Sequence, residues 1–413
     1  MSRRKSEDLL PEDRYLNGAE AAEFLGVKIS TLYAYVSRGM IESVNQRQTR
    51  ERAYRLSDLI RLRNAERGTH KSEGAGFWTA PAIRSAVTNI TPRGPTYRGQ
   101  LATELALNDT AYEQVAEILW DTEQDSSRWA VVQNLADVEK MKALLPKESS
   151  YLDILKVVVL LIEASSSGLT AMPLERTLAE GRKLIVSMAG SLARSAKPTG
   201  VSRVDSPLTA SVLSKALSGT YSKQHATLIN RALVLCADHE LNASTLTARI
   251  AASCGASVSS CVLSALGSFT GALHGSASRR VEELILGSMH TKSVSRWLRE
   301  FLQSNQQIPG FGLELYPAGD PRAKALLDSV SEMSSSVPEV RRLFEVISCV
   351  QDMVGEMPNI DAALAALKFA LALPAGAGSA IFAVGRTAGW IAHVVEQHQF
   401  GGPIRPRARY IGK

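Results

Sequence analysis

Ala237-Asp238-His239-Glu240-Leu241-Asn242-Ala243-Ser244 separates two amphipathic stretches, Ser222–Leu235 and Thr245–Ser264. A histidine inside a helix is usually a satisfied structural residue. One at a helix end or a glycine-flanked turn can converge with other side chains on a cleft. Three further stretches share that placement. Gly271-Ala272-Leu273-His274-Gly275 opens another helix, Met357-Pro358-Asn359-Ile360-Asp361 precedes one, and Gly385–His393 carries Arg386.

Working outward from these turns, the chain beyond residue 77 reads as helical. Apolar residues recur at helical spacing over Thr110–Trp120, Leu152–Ala164, Pro173–Ala193, Ser206–Ser218, Ser278–Met289, Ser293–Asn305, Pro321–Ser334, Val337–Val354 and Ala362–Ala372. Alanine and serine are used heavily and aromatics make up only 6% of the chain, which suits closely packed helices. One departure is the β-branched alternation Arg84–Thr91, a short strand before the turn Pro92-Arg93-Gly94-Pro95. The fold class expected is therefore all-α.

Composition narrows the function classes. The 413 residues predict two or three domains. With 45% hydrophobic and 21% charged residues, collagen-like, mucin-like and wholly disordered chains are excluded. The four cysteines, Cys236, Cys254, Cys261 and Cys349, form no C-x-x-C, so no zinc or redox motif is expected and the reading is a reduced compartment. The charged start Met1–Asp8 leads into no apolar segment of the kind a secretory signal carries. Val157–Ile162 falls far short of the ~20 apolar residues of a spanning helix. Phe369–Val384 is interrupted by Pro374 and two glycines and reads as a buried helical hairpin. The expectation is a cytoplasmic protein with no membrane partner.

The net charge of +6 is concentrated: residues 28–67 hold nine Lys/Arg against four Asp/Glu, a surplus of five. Such a window suggests nucleic acid. Around it, Ala21, Ala22 and Leu25 share a helix face, Gly26 supplies a turn, and Ser30 is placed to cap a second helix bearing Leu32 and Val36. Gly39 closes that helix. Ile41–Val44 and Ala53–Arg55 then read as strands around a basic loop, and Ser57 as the cap of a third helix. Gly68–Gly76 reads as a linker.

Residues 14–67 resemble the excisionase and MerR-type winged helix-turn-helix family. The matching text is Glu20-Ala21-Ala22-x-x-Leu25-Gly26-Val27-x-x-Ser30-Thr31-Leu32-Tyr33, then Arg38-Gly39-x-Ile41 and Tyr54-Arg55-x-Ser57-Asp58. The resemblance implies DNA contacts from Thr31, Tyr33, Ala34, Ser37 and Arg38 on the second helix, and from Arg47, Arg50 and Arg52 on the wing. The alternative is an assembly module.

From Tyr97-Arg98-Gly99 to Arg405–Tyr410 the chain is similar to citrate synthase. The Ala-Asp-His-Glu-Leu-Asn-Ala-Ser and Leu-His-Gly strings carry the similarity, with Pro309-Gly310-Phe311-Gly312 and Asp320-Pro321-Arg322. It implies a large helical domain over 77–276 and 362–413, a small one over 277–361, a cleft between them and a homodimer. The implied reaction joins acetyl-CoA, a co-substrate with no permanently bound cofactor or metal, to oxaloacetate, giving citrate for the tricarboxylic acid cycle.

Joining these carbons needs a base for the thioester methyl proton, a donor to the enol oxygen and a donor to the ketone. By resemblance Asp361 is the base and His274 the enol donor. His239, Arg322, Arg386 and, from the other subunit, Arg405 bind the oxo acid, while Gly310, Phe311 and Gly312 contact CoA. Arginine suits carboxylates because its planar fork pairs them in bidentate fashion.

The chain departs from the family at one chemical group. The family reads Gly-Phe-Gly-His; here Gly310-Phe311-Gly312-Leu313 is followed by Glu314. Leucine has no donor. After His274-Gly275, Ser276-Ala277-Ser278-Arg279 replaces the usual Gly-Ala-Asn-Glu. Two functions stay open: a condensing acyltransferase carrying a DNA-binding head, or a transcription regulator whose citrate synthase-like body senses a metabolite.

Overall fold

The structure, a computed structural model, describes residues 15–37, 41, 43–45, 52–55, 59, 83–123, 125, 128–129, 136–146, 148–165, 173–193, 208–303, 307–334, 336–406 and 410. They fall into two compact units. The first runs to Ile83 and takes in Val350–Gly355; the second holds Arg84–Cys349 and Glu356–Lys413.

The first unit pairs two short helices with a small sheet. Asn17 caps the helix Gly18–Leu25: its side chain accepts from the Ala19 and Glu20 N–H groups, and Glu20 reaches back to the Asn17 N–H. Gly26, at φ 69°, ends the helix, as its missing Cβ allows. The second helix, Ile29–Ser37, starts two residues earlier than expected: the Thr31 and Leu32 N–H groups donate to Lys28 O, so Ser30 lies inside the helix and does not cap it. Ser43–Asn45 and Arg52–Arg55 pair antiparallel, where the sequence predicts strands over Ile41–Val44 and Ala53–Arg55. Tyr15–Asn17, a strand too short to show a period, adds to the other edge, giving the order Tyr15–Asn17, Arg52–Arg55, Ser43–Asn45. Leu16, Ala21, Ala22, Leu32, Ile41, Tyr54 and Leu59 form the core. Gly39, Ser57 and the expected linker lie outside the described residues.

Among its described residues the second unit is helical apart from the hairpin Thr88–Thr91 with Gly94–Tyr97, joined by Gln100–Leu101. Its centre is the helix Ala377–Phe400, buried from Ala377 to Gln397. That helix touches Tyr112–Trp120, Tyr151–Ser165, Leu174–Ser191, Lys223–Cys236, Ala243–Ser253, Val258–Phe269, Ala277–Ser288 and Ile360–Ala370. A helix surrounded on all sides has no polar stripe. Close approach instead demands small residues, and a Cβ on Gly385 would meet Leu233 O at 3.0 Å.

The expected single stretch Thr245–Ser264 is two helices, Ala243–Ser253 and Val258–Phe269. Gly255, at φ 78°, turns the chain, and Ser257 caps the second helix by accepting from the Ser260 N–H. The expected hairpin at Phe369–Val384 is the junction of Ile360–Ala370 and Ala377–Phe400, turning through Pro374 and Gly376. None of the four cysteines is joined in a disulfide. Among the described residues no helix is long and apolar enough to cross a membrane, and no His/Cys/Asp/Glu group could hold a metal.

Candidate active site

Asp361 sits in the first turn of Ile360–Ala370, whose cap Asn359 accepts the Asp361 backbone N–H at 3.0 Å. Part of the residue remains accessible, but its Oδ1 is buried and meets no partner among the described residues. Burial pushes the Asp361 carboxyl up to about 7, against the opposing pull of Arg322 and Arg386. A carboxylate with a free oxygen that ionises near neutrality is a competent base.

The Gly310–Gly312 loop is locked beside it. Phe311 bridges Pro358 in antiparallel fashion. The Gly312 N–H donates to Met357 O at 2.9 Å, and the Asn359 N–H to Gly310 O at 2.9 Å. Gly310 has φ 82°, and a Cβ there would stand 2.5 Å from Val281 Cγ2 and 3.3 Å from the Ala362 N. Only glycine allows this approach. Leu313 follows, partly buried, and Glu314 is exposed.

His274 lies in the turn after Val258–Phe269. A Cβ on Gly275 would overlap the Phe269 ring, which explains the glycine after the histidine. Phe269 also meets the imidazole edge-on at 4.9 Å between centroids. Nε2 of His274 lies 2.8 Å from Ser244 Oγ, which receives Trp390 Nε1–H at 3.2 Å. Burial, helped by Arg386, lowers His274 to about 4, so it is neutral at physiological pH. A neutral imidazole donates from Nδ1 when Ser244 gives its proton to Nε2. Asn242 Oδ1, 2.8 Å from Ser244 Oγ, competes for that proton.

His239 is buried, and its Nε2 lies 3.3 Å from the Tyr316 hydroxyl. Burial and then the charges of Arg322 and Arg386 hold it well below the usual histidine range. Arg322 is buried and already paired: its Nε and Nη2 donate to Asp320 at 3.0 and 2.8 Å. Asp320 Oδ2 also accepts the Ile360 N–H at 3.1 Å, tying the pair to the start of the Asp361 helix.

Arg386 differs. It is 1% exposed, and its Nε donates to Cys236 O at 2.7 Å. Its Nη2 is buried and meets no partner among the described residues. Burial lowers its pKa. A buried guanidinium with an idle donor is a socket for an anion. Its charge is felt at His239, His274 and Asp361 alike.

The turn bearing His239 is held from behind. Asp238 Oδ2 lies 3.3 Å from His393 Nε2, and His393 lies 3.3 Å from Arg249 Nη1. The Gly389 N–H donates to Ala237 O at 3.0 Å, and a Cβ on Gly389 would collide with Asp238 Oδ1 and Ala237 O. Gly389→Ala should therefore destabilise by ~1–3 kcal/mol despite the better helix propensity of alanine. Thermal melts of the two proteins check this. A variant as stable as the parent would contradict the contact.

The structure thus groups His239, His274, Asp361, Arg322 and Arg386. Arg405 is exposed beyond the last helix, and within one chain no contact among the described residues joins it to the group. Sequence reading missed Tyr316, whose only signal was its place in the loop leading to Asp320. Of the expected DNA contacts, Tyr33 and Arg52 border one concavity of about 650 Å³ with Asn17 and Tyr54. Thr31 is partly buried on the same helix. Arg38, Arg47 and Arg50, and the Ser37 side chain, lie outside the described residues.

Known proteins resemble this chain in sequence and in fold. The family model described as citrate synthase, C-terminal domain, matches residues 76–407. Citrate synthase of Haloferax volcanii is 36% identical over 193 residues, 46% of this chain and 51% of that protein. The chain spans about half the length of the first curated relatives it matches. The 2-methylcitrate synthase 2 of Corynebacterium glutamicum is 26% identical over 362 residues, 82% of this chain and 94% of the relative. Among solved structures, Thermoplasma acidophilum citrate synthase in ternary complex with carboxymethyl coenzyme A and oxaloacetate superposes with a TM-score of 0.73. It covers 83% of this chain and 96% of its own at 22% identity, a likeness of fold. With four-fifths of its length matched by the family model and its motif histidines gathered in one cluster, the chain belongs to the citrate synthase family.

Proposed function

We propose that the protein condenses an acyl-CoA of the acetyl type with oxaloacetate. The observation that carries this is the pairing of two idle groups in one buried cluster: Asp361 Oδ1, free to take a proton, and Arg386 Nη2, free to hold a carboxylate. Asp361 removes the thioester methyl proton, and neutral His274 donates to the oxygen that gains charge. His239, Arg322 and Arg386 hold the oxo acid, joined by Arg405 of a second copy in a homodimer. Gly310–Gly312 offers backbone to CoA, and the helices divide into a large and a small domain about the cleft. Mass spectrometry after incubation with acetyl-CoA and oxaloacetate should show citrate, or 2-methylcitrate with propionyl-CoA. The absence of both products would refute the reading.

A second reading, a metabolite sensor with a DNA-binding head, is favoured by Leu313 and by the concavity that Tyr33 and Arg52 border. On this reading Arg52→Ala weakens duplex binding and lowers the slope of log affinity against log salt by roughly one. An unchanged slope in a fluorescence titration removes Arg52 from the interface.

A further inference from the structure

The loop from Leu313 to Asp320 holds a second candidate donor. The Tyr316 N–H donates to Leu313 O at 2.9 Å, so Tyr316 stands one turn beyond the position where the family carries a histidine. The residue is 5% exposed, and its hydroxyl lies 3.3 Å from His239 Nε2. The two rings pack with centroids 5.7 Å apart at 58°. The charges of Arg322 and Asp320 act on the hydroxyl, so it belongs to the pocket that contains both. The loop itself is pinned, because Asp320 Oδ2 accepts the Ile360 N–H next to Asp361.

We propose that the Tyr316 hydroxyl, in place of the absent histidine, donates to the keto oxygen of the oxo acid. This rests on the condensation reading above and adds the residue that completes it. His239 Nε2–H donates to Tyr316 Oη, so His239 acts on the oxo acid through the tyrosine, whose own proton is left free for substrate. As the deprotonated acyl-CoA carbon attacks, the new carbon–carbon bond forms and the C=O π pair moves onto oxygen. That oxygen takes the Tyr316 proton. The tyrosinate is reprotonated from water and Asp361 returns the methyl proton to water, so protons balance over the condensation; water then cleaves the thioester C–S bond, which leaves the new carboxylate on the product and releases CoA as the free thiol. Burial pushes the Tyr316 phenol up to about 12. It is therefore fully protonated before attack, yet still a stronger acid than the tertiary alcohol it protonates.

The experiment is a carbon-13 spectrum of oxaloacetate labelled at the keto carbon, bound to the full chain and to Tyr316→Phe, alongside condensation rates. The wild-type protein should move the keto resonance downfield, and the variant should lose that displacement while still binding. Tyr316→Phe should lower kcat by ~10²–10³-fold. Adding Leu313→His to that variant should recover at least tenfold. A bound, unshifted resonance in the wild-type protein, or the same displacement in both proteins, overturns the role of Tyr316 alone. Failure of the wild-type protein to bind oxaloacetate overturns the substrate reading, and this inference with it. The spectrum needs no turnover, so the two failures are distinguishable.

Discussion

Asp361→Asn should abolish oxaloacetate-dependent thiol release, a loss of ~10²–10⁴-fold, and at the same time make the protein more stable at pH 8. Both effects follow from one environment. The carboxyl is pushed up to about 7 chiefly by burial, so its ionised form is the one the fold disfavours. In the unfolded chain an aspartate ionises near its ordinary value of about 3.9. Between those values the folded state holds a proton that the unfolded state has lost, so stability falls as pH rises. Below about 4 both states are protonated and the penalty vanishes; above about 7 it is complete. One pKa unit corresponds to about 1.4 kcal/mol, so asparagine should gain on the order of 2–4 kcal/mol at pH 8 and almost nothing at pH 3.5. Denaturant titrations at the two pH values check this. Wild-type turnover should rise with pH through about 7 as the base ionises. Equal stability of the two proteins at both pH values would contradict the burial argument.

Arg386→Met should separate binding from folding in the same way. The guanidinium is buried, stacked 5.0 Å from the Phe382 ring centroid, with Nη2 idle. An unpaired buried cation is costly, and an apolar side chain of similar length is tolerated or favoured. The loss of the 2.7 Å bond to Cys236 O works the other way by ~1 kcal/mol. The ligand-free variant should therefore melt within a few degrees of the parent. Oxaloacetate affinity should fall by at least ~30-fold, because truncating one partner of a buried charge pair costs ~2–5 kcal/mol. Calorimetric titration provides the affinity. A variant that binds normally would place the carboxylate elsewhere.

The sequence shows some of this directly and hides the rest for identifiable reasons. His239, His274 and Asp361 stand out because helix breaks and glycines surround them. Gly275 and Gly310 prove to be packing requirements of those same turns. The helix Ala377–Phe400 escapes period-based reading because it is buried on every side and carries no polar face. The break at Gly255 is hidden by apolar residues that continue on both sides of it. Tyr316 gives no periodic signal, since a tyrosine in a loop has no period, and its contact with His239 spans 77 positions. The idle Nη2 of Arg386 is a property of packing that no residue pattern records. Arg322 and Asp320, two residues apart, could have been read as a pair, and the structure makes them one.

The central claim is that this cluster performs chemistry. Its most direct test is free-thiol release from acetyl-CoA by the purified full chain, with and without oxaloacetate, run in parallel with Asp361→Asn. The expected result is thiol release that requires the oxo acid and disappears in the variant. Thiol release independent of oxaloacetate, or none from a wild-type protein that binds oxaloacetate tightly, would contradict it.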